Sequence, residues 1–368
     1  MELIFYKHLY NKIIESMSNN YRDNHDFYRF GVDTDKESFS LKNYIKYKYI
    51  FPRFIPKNKT RYYVDQTTDF LNEYGERLNF LFNLLENDES KNLLIDLIAY
   101  KLLGKKRVKL HTNTAEFWKL CIESYKNADK NDYIKLNFLH WKLYKADFSK
   151  FDLALKMYIL PEMIVEYQFL GHYSYNSGKK ISVEKDDIVL DCGGCYGDTA
   201  ILFGNYAGNK GKVYSFEFIP SNIDIFNKNL DLNPNVSNVE IVRNPLWNQS
   251  DLKLFYSDNG PGSKVLPEVF EGMNGEVSTI SIDDFVARNS IKEVNYIKMD
   301  IEGAELPALN GAISTLKTFR PKLAISIYHS MEDFVEIPAF LNSLGVGYKF
   351  YLGHYTIHAE ETVLYAIV

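Results

Sequence analysis

Several carboxylates, a histidine and a group of glycines follow short apolar runs, where buried strands would deliver them to one edge of a sheet. The first set is Asp191-Cys192-Gly193-Gly194-Cys195-Tyr196-Gly197-Asp198, directly after the apolar run 188–190. Glycines let a backbone approach a ligand where a side chain would collide, and a helix opening behind the turn presents free N–H groups. A bare strand-to-helix connection has the same needs, so the turn alone does not decide. Glu217 adds a second signal at the end of the next run, 213–216, where a carboxylate can accept hydrogen bonds from both hydroxyls of a ribose. Ligands of open α/β sheets bind at this carboxyl edge of the strands.

The spacing bears on which nucleoside would bind. A dinucleotide turn has the form G-x-G-x-x-G, and here Cys192 occupies its first glycine position. Asp191 and Asp198 would repel a pyrophosphate but suit the ammonium group of an amino-acid moiety, which favours S-adenosylmethionine over NAD. Cys192 and Cys195 also form a C-x-x-C at a helix start, the arrangement that activates thiols in thioredoxin-like proteins, although such domains are much smaller. A structural zinc site wants four ligands, and Cys121 is the only other cysteine.

Two later runs reach the same edge. Residues 296–299 lead into Asp300, Glu302 and Glu305, and residues 323–327 lead into Tyr328 and His329. Glu305 suits the N-terminus of the helix that follows. Asp300 and His329 are candidates for acid-base work, with His329 the first choice as base and Asp300 the second. A divalent ion on Asp300, Glu302 or His329 is an alternative way to activate a hydroxyl. His354 and His358 precede the last apolar run, and His358 reads as a packing or surface residue.

These side chains need a parallel sheet to hold them. The runs 188–190, 213–216, 239–242, 296–299 and 323–327 alternate with helical patterns over 198–207, 221–232, 305–317 and 332–344, the rhythm of an α/β sheet covered on both faces. Runs 348–352 and 362–368 predict an antiparallel hairpin at the sheet edge. The first half reads mainly helical: Leu9, Ile13, Ile14 and Met17 share a face, 70–86 repeats the pattern, and a third helix ends at Gly104 with Asp88 or Ser90 as its N-cap. The spacing over 111–170 is also near-helical, whereas 19–66 reads as irregular. We place a boundary at 170, with 1–170 a substrate or oligomerisation region and 171–368 the catalytic domain.

Composition narrows the classes. The chain of 368 residues carries 43 Lys+Arg against 48 Asp+Glu, a net charge of -5, which argues against bulk nucleic-acid binding. The basic clusters 42–48 and 105–109 read as solvated faces. Hydrophobic residues make up 46%, enough for a full core, yet no run is long and apolar enough to span a bilayer. Three cysteines and no secretory leader point to a reducing cytoplasm.

Taken together, residues 191–198, 216–218, 298–305, 328–329 and 361–366 resemble the FkbM family of S-adenosylmethionine-dependent methyltransferases over 187–368. Departures fall at Gly194, Cys195 and Pro245. The resemblance implies a class I methyltransferase fold, a Rossmann-like sheet of seven strands, mostly parallel with an antiparallel last strand. It also implies O-methylation, often of sugars, polyketides or peptides. On that basis Asp191, Gly193, Gly197 and Asp198 surround the methionine moiety, Glu217 holds the ribose, and Phe218 and Leu246 flank the adenine. The acceptor expected is a sugar hydroxyl of a surface glycan or its nucleotide-linked precursor. An NAD-dependent oxidoreductase and a noncatalytic glycan-binding protein on a degenerate methyltransferase fold are the rival readings.

Overall fold

A computed structural model describes residues 4–22, 24–31, 57–139 and 141–368. The basic cluster 42–48 lies outside the described residues. Two compact units emerge, one of residues 1–117 with 356–360 and one of 118–355 with 361–368. The expected border at 170 therefore falls inside the second unit.

In the first unit, helices α1 (Ile4–Ser16), α2 (Lys57–Leu84) and α3 (Asp88–Leu103) bury Phe5, Leu9 and Ile13 together with Leu78, Leu81, Leu94 and Ile98. Helix α2 begins well before the 70–86 periodicity, so 57–66 is helical where an irregular segment was expected. The N-cap of α3 is Asn87, whose side chain accepts from the Ser90 N–H at 3.0 Å; Asp88 and Ser90 lie inside the helix. Gly104 ends α3 with a φ of 76°, as its glycine predicts.

The second unit opens on the end of a helix, Ala115–Asn127, and then departs from the helical expectation for 111–170. Three antiparallel strands follow, Tyr133–Lys135, Lys142–Asp147 and Lys156–Ile159. Their apolar residues alternate over spans too short to separate a period of 2 from one of 3.6. The mainly helical character thus stops near residue 127.

The centre is a seven-stranded sheet: β1 (Ile188–Cys192), β2 (Lys212–Phe216), β3 (Val239–Val242), β4 (Tyr296–Met299), β5 (Lys322–Ser326), β6 (Lys349–His354) and β7 (Thr362–Ile367). Its order is β6-β7-β5-β4-β1-β2-β3, with β7 antiparallel to both of its neighbours and the pairs from β5 to β3 parallel. This is the mostly parallel α/β sheet with an antiparallel last strand that the sequence predicts. Strands β1 and β4 have almost no exposed residues, because helices cover both faces. The helical pattern over 305–317 is two helices, Glu305–Asn310 and Ile313–Phe319. A Cβ on Gly311 between them would lie 2.3 Å from the Trp247 carbonyl oxygen. A small antiparallel sheet of Lys253–Ser257, Lys264–Leu266 and Gly275–Ser278 has no counterpart in the sequence reading. No helix among the described residues is long and apolar enough to cross a membrane.

Candidate active site

Register sets the edge. Cys192 of β1 pairs with Phe216 of β2 and with Met299 of β4, so Gly193, Glu217 and Asp300 leave three adjacent strands at one level. Backbone bonds carry the pairing one step further: the Gly193 and Gly194 N–H groups donate to Phe216 O, and the Asp300 N–H donates to Cys192 O at 2.9 Å. His329 follows β5 beside them, with Nε2 3.3 Å from Asp300 Oδ1.

The turn glycines answer first to the protein's own packing. A Cβ on Gly193 would lie 1.8 Å from the Asp300 carbonyl oxygen, one on Gly194 2.2 Å from Ser215 Oγ, and one on Gly197 2.1 Å from the Phe226 ring. Gly193 and Gly197 also have φ values of 91° and 82°. Asp191 is wholly buried under this turn, where it accepts from Ser215 Oγ at 2.7 Å and Thr199 Oγ1 at 3.1 Å. It shapes the turn from below. Asp198 starts the next helix, α4 (Asp198–Ala207), and accepts from the Tyr167 hydroxyl at 2.9 Å.

Lys298 is the residue to which the sequence reading assigned no task. Its Nζ donates to Gly193 O at 2.5 Å, stands 3.4 Å from Asp191 Oδ1 and lies 5.3 Å above the Tyr173 ring. Burial works against its charge, but Asp191, Asp300 and Asp198 outweigh that cost and raise its pKa. A buried Lys inside a strand is a weak sequence signal, because strand positions alternate and either face was open to it.

Glu217 is buried at the start of helix α5 (Pro220–Asp231). Oε1 accepts from the Phe218 and Ile219 N–H groups, both at 2.7 Å, and Oε2 accepts from Asn222 Nδ2 at 3.2 Å. Burial raises its pKa to about 7 against those hydrogen bonds. Asn222 Oδ1 beside it is buried without a hydrogen-bond partner. A ligand offering hydroxyl or amino donors fits here, since Asn222 Oδ1 accepts no bond from protein. Phe218 meets Tyr256 edge-on with centroids 5.7 Å apart, and the buried Leu246 bridges to Ile280. These apolar groups suit the adenine of a nucleoside.

At the other end, Asp300 accepts from the Tyr173 hydroxyl at 2.7 Å and from the Tyr328 hydroxyl at 3.3 Å. His329 Nδ1 lies 3.3 Å from Glu305 Oε1, and Nε2 lies 3.8 Å from Glu302 Oε2. These are ion-pair distances without hydrogen-bond geometry. Burial lowers the His329 pKa, but Asp300 and Glu305 overcome it and push it up to about 12. The positive charges of His329 and Lys298 in turn outweigh burial and hold Asp300 well below the usual carboxylate range. Burial and the Asp300 charge push Glu302 up to about 8. Asp300 and Glu305 thus favour the charged form of His329, which weighs against its use as a free base. Glu305 has no exposed surface and accepts from the Ile301 N–H at 2.7 Å, so it closes the start of its own helix as expected.

The C-x-x-C thiols point away from redox chemistry. Cys192 and Cys195 are free, and burial raises both pKa values well above the ordinary thiol range, whereas a reactive pair needs them lowered.

The methyltransferase FkbM domain family matches residues 191–350, a span that includes the glycine turn, Glu217, Asp300 and His329. This part of the chain is similar to methyltransferase FkbM domains. Among curated proteins no relative matches the sequence. Among solved structures, methyltransferase FkbM from Methylobacillus flagellatus KT superposes with a TM-score of 0.51 at 17% identity, covering 83% of this chain and 62% of that one. The chain thus spans about three fifths of that protein's length. The Methanococcus jannaschii fibrillarin pre-rRNA processing protein follows with a TM-score of 0.36, 13% identity and coverage of 71% and 87%. Aeropyrum pernix fibrillarin in complex with S-adenosyl-L-methionine has a TM-score of 0.33, 11% identity and coverage of 64% and 93%.

Proposed function

We propose that the chain moves the methyl group of S-adenosylmethionine to a hydroxyl of a sugar, on a surface glycan or its nucleotide-linked precursor, in the cytoplasm. The observation that carries this reading is the division of one sheet edge. Glu217 and Asn222 offer hydrogen-bond acceptors at the end of β2, while Asp300 and His329 form a polar cluster beyond β4 and β5.

The bound cofactor supplies an electrophilic methyl group on a sulfonium. Glu217 and Asn222 Oδ1 hold the ribose hydroxyls, and Gly193, Gly197 and Asp198 bound the methionine end. Asp300 accepts a hydrogen bond from the acceptor hydroxyl and aims its remaining lone pair in line with the methyl carbon. Transfer would break the bond between methyl carbon and sulfur, leaving S-adenosylhomocysteine, and the acceptor's proton, made strongly acidic by the new C–O bond, would pass to Asp300 even with its carboxylate held at a low pKa. His329 keeps Asp300 ionised and is a positioning residue, with Tyr173 and Tyr328 fixing the carboxylate's rotation.

The test has two parts. Calorimetric titration with S-adenosylhomocysteine and, separately, NAD should show heat for the first alone. Transfer of labelled methyl from S-adenosylmethionine to a panel of nucleotide sugars should follow. Binding of NAD in place of S-adenosylhomocysteine would return the oxidoreductase reading. Tight glycan binding without S-adenosylhomocysteine binding would make the chain a noncatalytic binder.

A further inference from the structure

Three side chains of ligand type converge beyond β4 and β5. One atom each from Asp300, Glu305 and His329 lies within 4.8 Å of the other two. The imidazole stands between the carboxylates, with Nε2 3.3 Å from Asp300 Oδ1 and Nδ1 3.3 Å from Glu305 Oε1. Both ring nitrogens are buried, and neither is hydrogen-bonded. Glu305 is 0% exposed, and its Oε2 likewise has no hydrogen-bond partner.

The charge that faces these carboxylates is carried by a proton on His329, whose place a divalent cation would take. Glu302 Oε2 is 3.8 Å from His329 Nε2, at the edge of the cluster. Lys298 is committed to Gly193 O and Asp191. The Tyr173 and Tyr328 hydroxyls donate to Asp300 but carry no charge. Full burial of an acceptor without a donor is costly, and a cation satisfies several such atoms at once.

We propose that Asp300, Glu305 and His329 form a binding site for a divalent cation, with Glu302 at its rim. Oxygen ligands at about 2.1 Å around Mg²⁺ stand roughly 3 Å apart when adjacent and about 4.2 Å apart when opposite, close to the spacing found here. Two carboxylates with one imidazole nitrogen, freed of its proton as the ion binds, suit Mn²⁺ and Mg²⁺ better than the thiolate-seeking metals. The inference rests on reading this edge as the methyl-transfer site, where a cation beside Asp300 would bind the acceptor hydroxyl and lower its pKa.

The probe is Mn²⁺ alone, added to chelator-treated full-length protein and followed by loss of the free-ion paramagnetic resonance signal. One ion per chain is expected, with affinity at least tenfold weaker in Glu305→Gln, which keeps an acceptor for the Ile301 N–H. Should that variant not fold, His329→Gln takes its place with the same expectation. Failure of the wild type to bind Mn²⁺ at millimolar concentration would overturn the site, as would undiminished binding by a folded variant. S-adenosylhomocysteine titration of the metal-free protein separates the two ideas. Loss of Mn²⁺ binding with normal S-adenosylhomocysteine binding sinks the cation site only, and the reverse sinks the cofactor reading only.

Discussion

Glu217 carries a prediction whose sign and size both follow from its surroundings. Its carboxyl stands at about 7 in the folded protein against 4.5 for the free group, chiefly because it is buried. A raised carboxyl pKa makes the folded state the better proton binder, so this group's contribution is fully present below pH 4.5 and is lost as pH rises through 7. The difference of about 2.5 pH units, at 1.36 kcal/mol per unit, corresponds to roughly 3 kcal/mol. Glu217→Gln keeps an acceptor at Oε1 for the Phe218 and Ile219 N–H groups but cannot ionise. The cofactor-free wild type should therefore lose stability relative to Glu217→Gln between pH 5 and 8, by up to roughly 3 kcal/mol.

Binding should run the opposite way, because ribose hydroxyls bond more strongly to a carboxylate than to a carboxylic acid. Affinity of the wild type for S-adenosylhomocysteine should fall toward tenfold per pH unit below 7, with proton release on binding, and Glu217→Gln should show a flat and weaker profile, lower by about 1 to 3 kcal/mol at pH 8. Urea midpoints followed by tryptophan fluorescence at four pH values, with calorimetry at the same values, measure both trends. Two stability curves that stay parallel, or an affinity unchanged in the folded variant, would refute the placement of the ribose at Glu217.

Lys298→Met should cost about 3 to 5 kcal/mol in the urea midpoint, since it strands the buried Asp191 charge and frees the Gly193 carbonyl; a smaller cost than Lys322→Met, whose ion pairs reach the surface, would contradict that assignment. Gly197→Ala should abolish S-adenosylhomocysteine binding or folding, because its Cβ would enter the Phe226 ring, and normal calorimetry of this variant would show the turn to be softer than described. Cys192→Ser with Cys195→Ser should retain most methyl transfer, and loss of a wild-type disulfide-reducing activity in this pair would revive the redox reading. Asp300→Asn should lower the single-turnover rate by about a hundredfold or more while S-adenosylhomocysteine affinity holds, and an intact rate would move the proton elsewhere.

The edge of the sheet was readable from sequence because its signals are local. A short apolar run ending in Asp or Glu ahead of a helical pattern places its last residue at the carboxyl edge whatever the rest of the chain does, and Asp191, Glu217 and Asp300 all obey that rule, the first and last with glycine in the turn. The strands at 133–159 escaped notice because three to six residues cannot show a period, and the split at Gly311 because its cause is the Trp247 carbonyl from a distant loop. Tyr167 and Tyr173 were invisible for the same reason. They belong to no motif, yet their hydroxyls reach Asp198 and Asp300 from a segment that a boundary at 170 cuts in two.

Protonation was the hardest property to read, since it depends on pairs that only the fold creates. A histidine after a strand at a ligand edge has the position of a base, and sequence gives no view of what faces each ring nitrogen. In the fold, Glu305 answers to the start of its own helix and Asp300 to the end of β4, and His329 from β5 enters between them. Three elements, each with a local reason for its own residue, together turn a candidate base into a charged partner of two carboxylates. Glu217 shows the converse. The same burial that leaves Asp300 ionised beside two cations brings Glu217, which has only hydrogen-bond donors for company, to the middle of the physiological range. One edge thus holds a carboxylate whose charge is fixed and another whose charge a bound ribose can settle, and the pH profile of binding is where that difference becomes measurable.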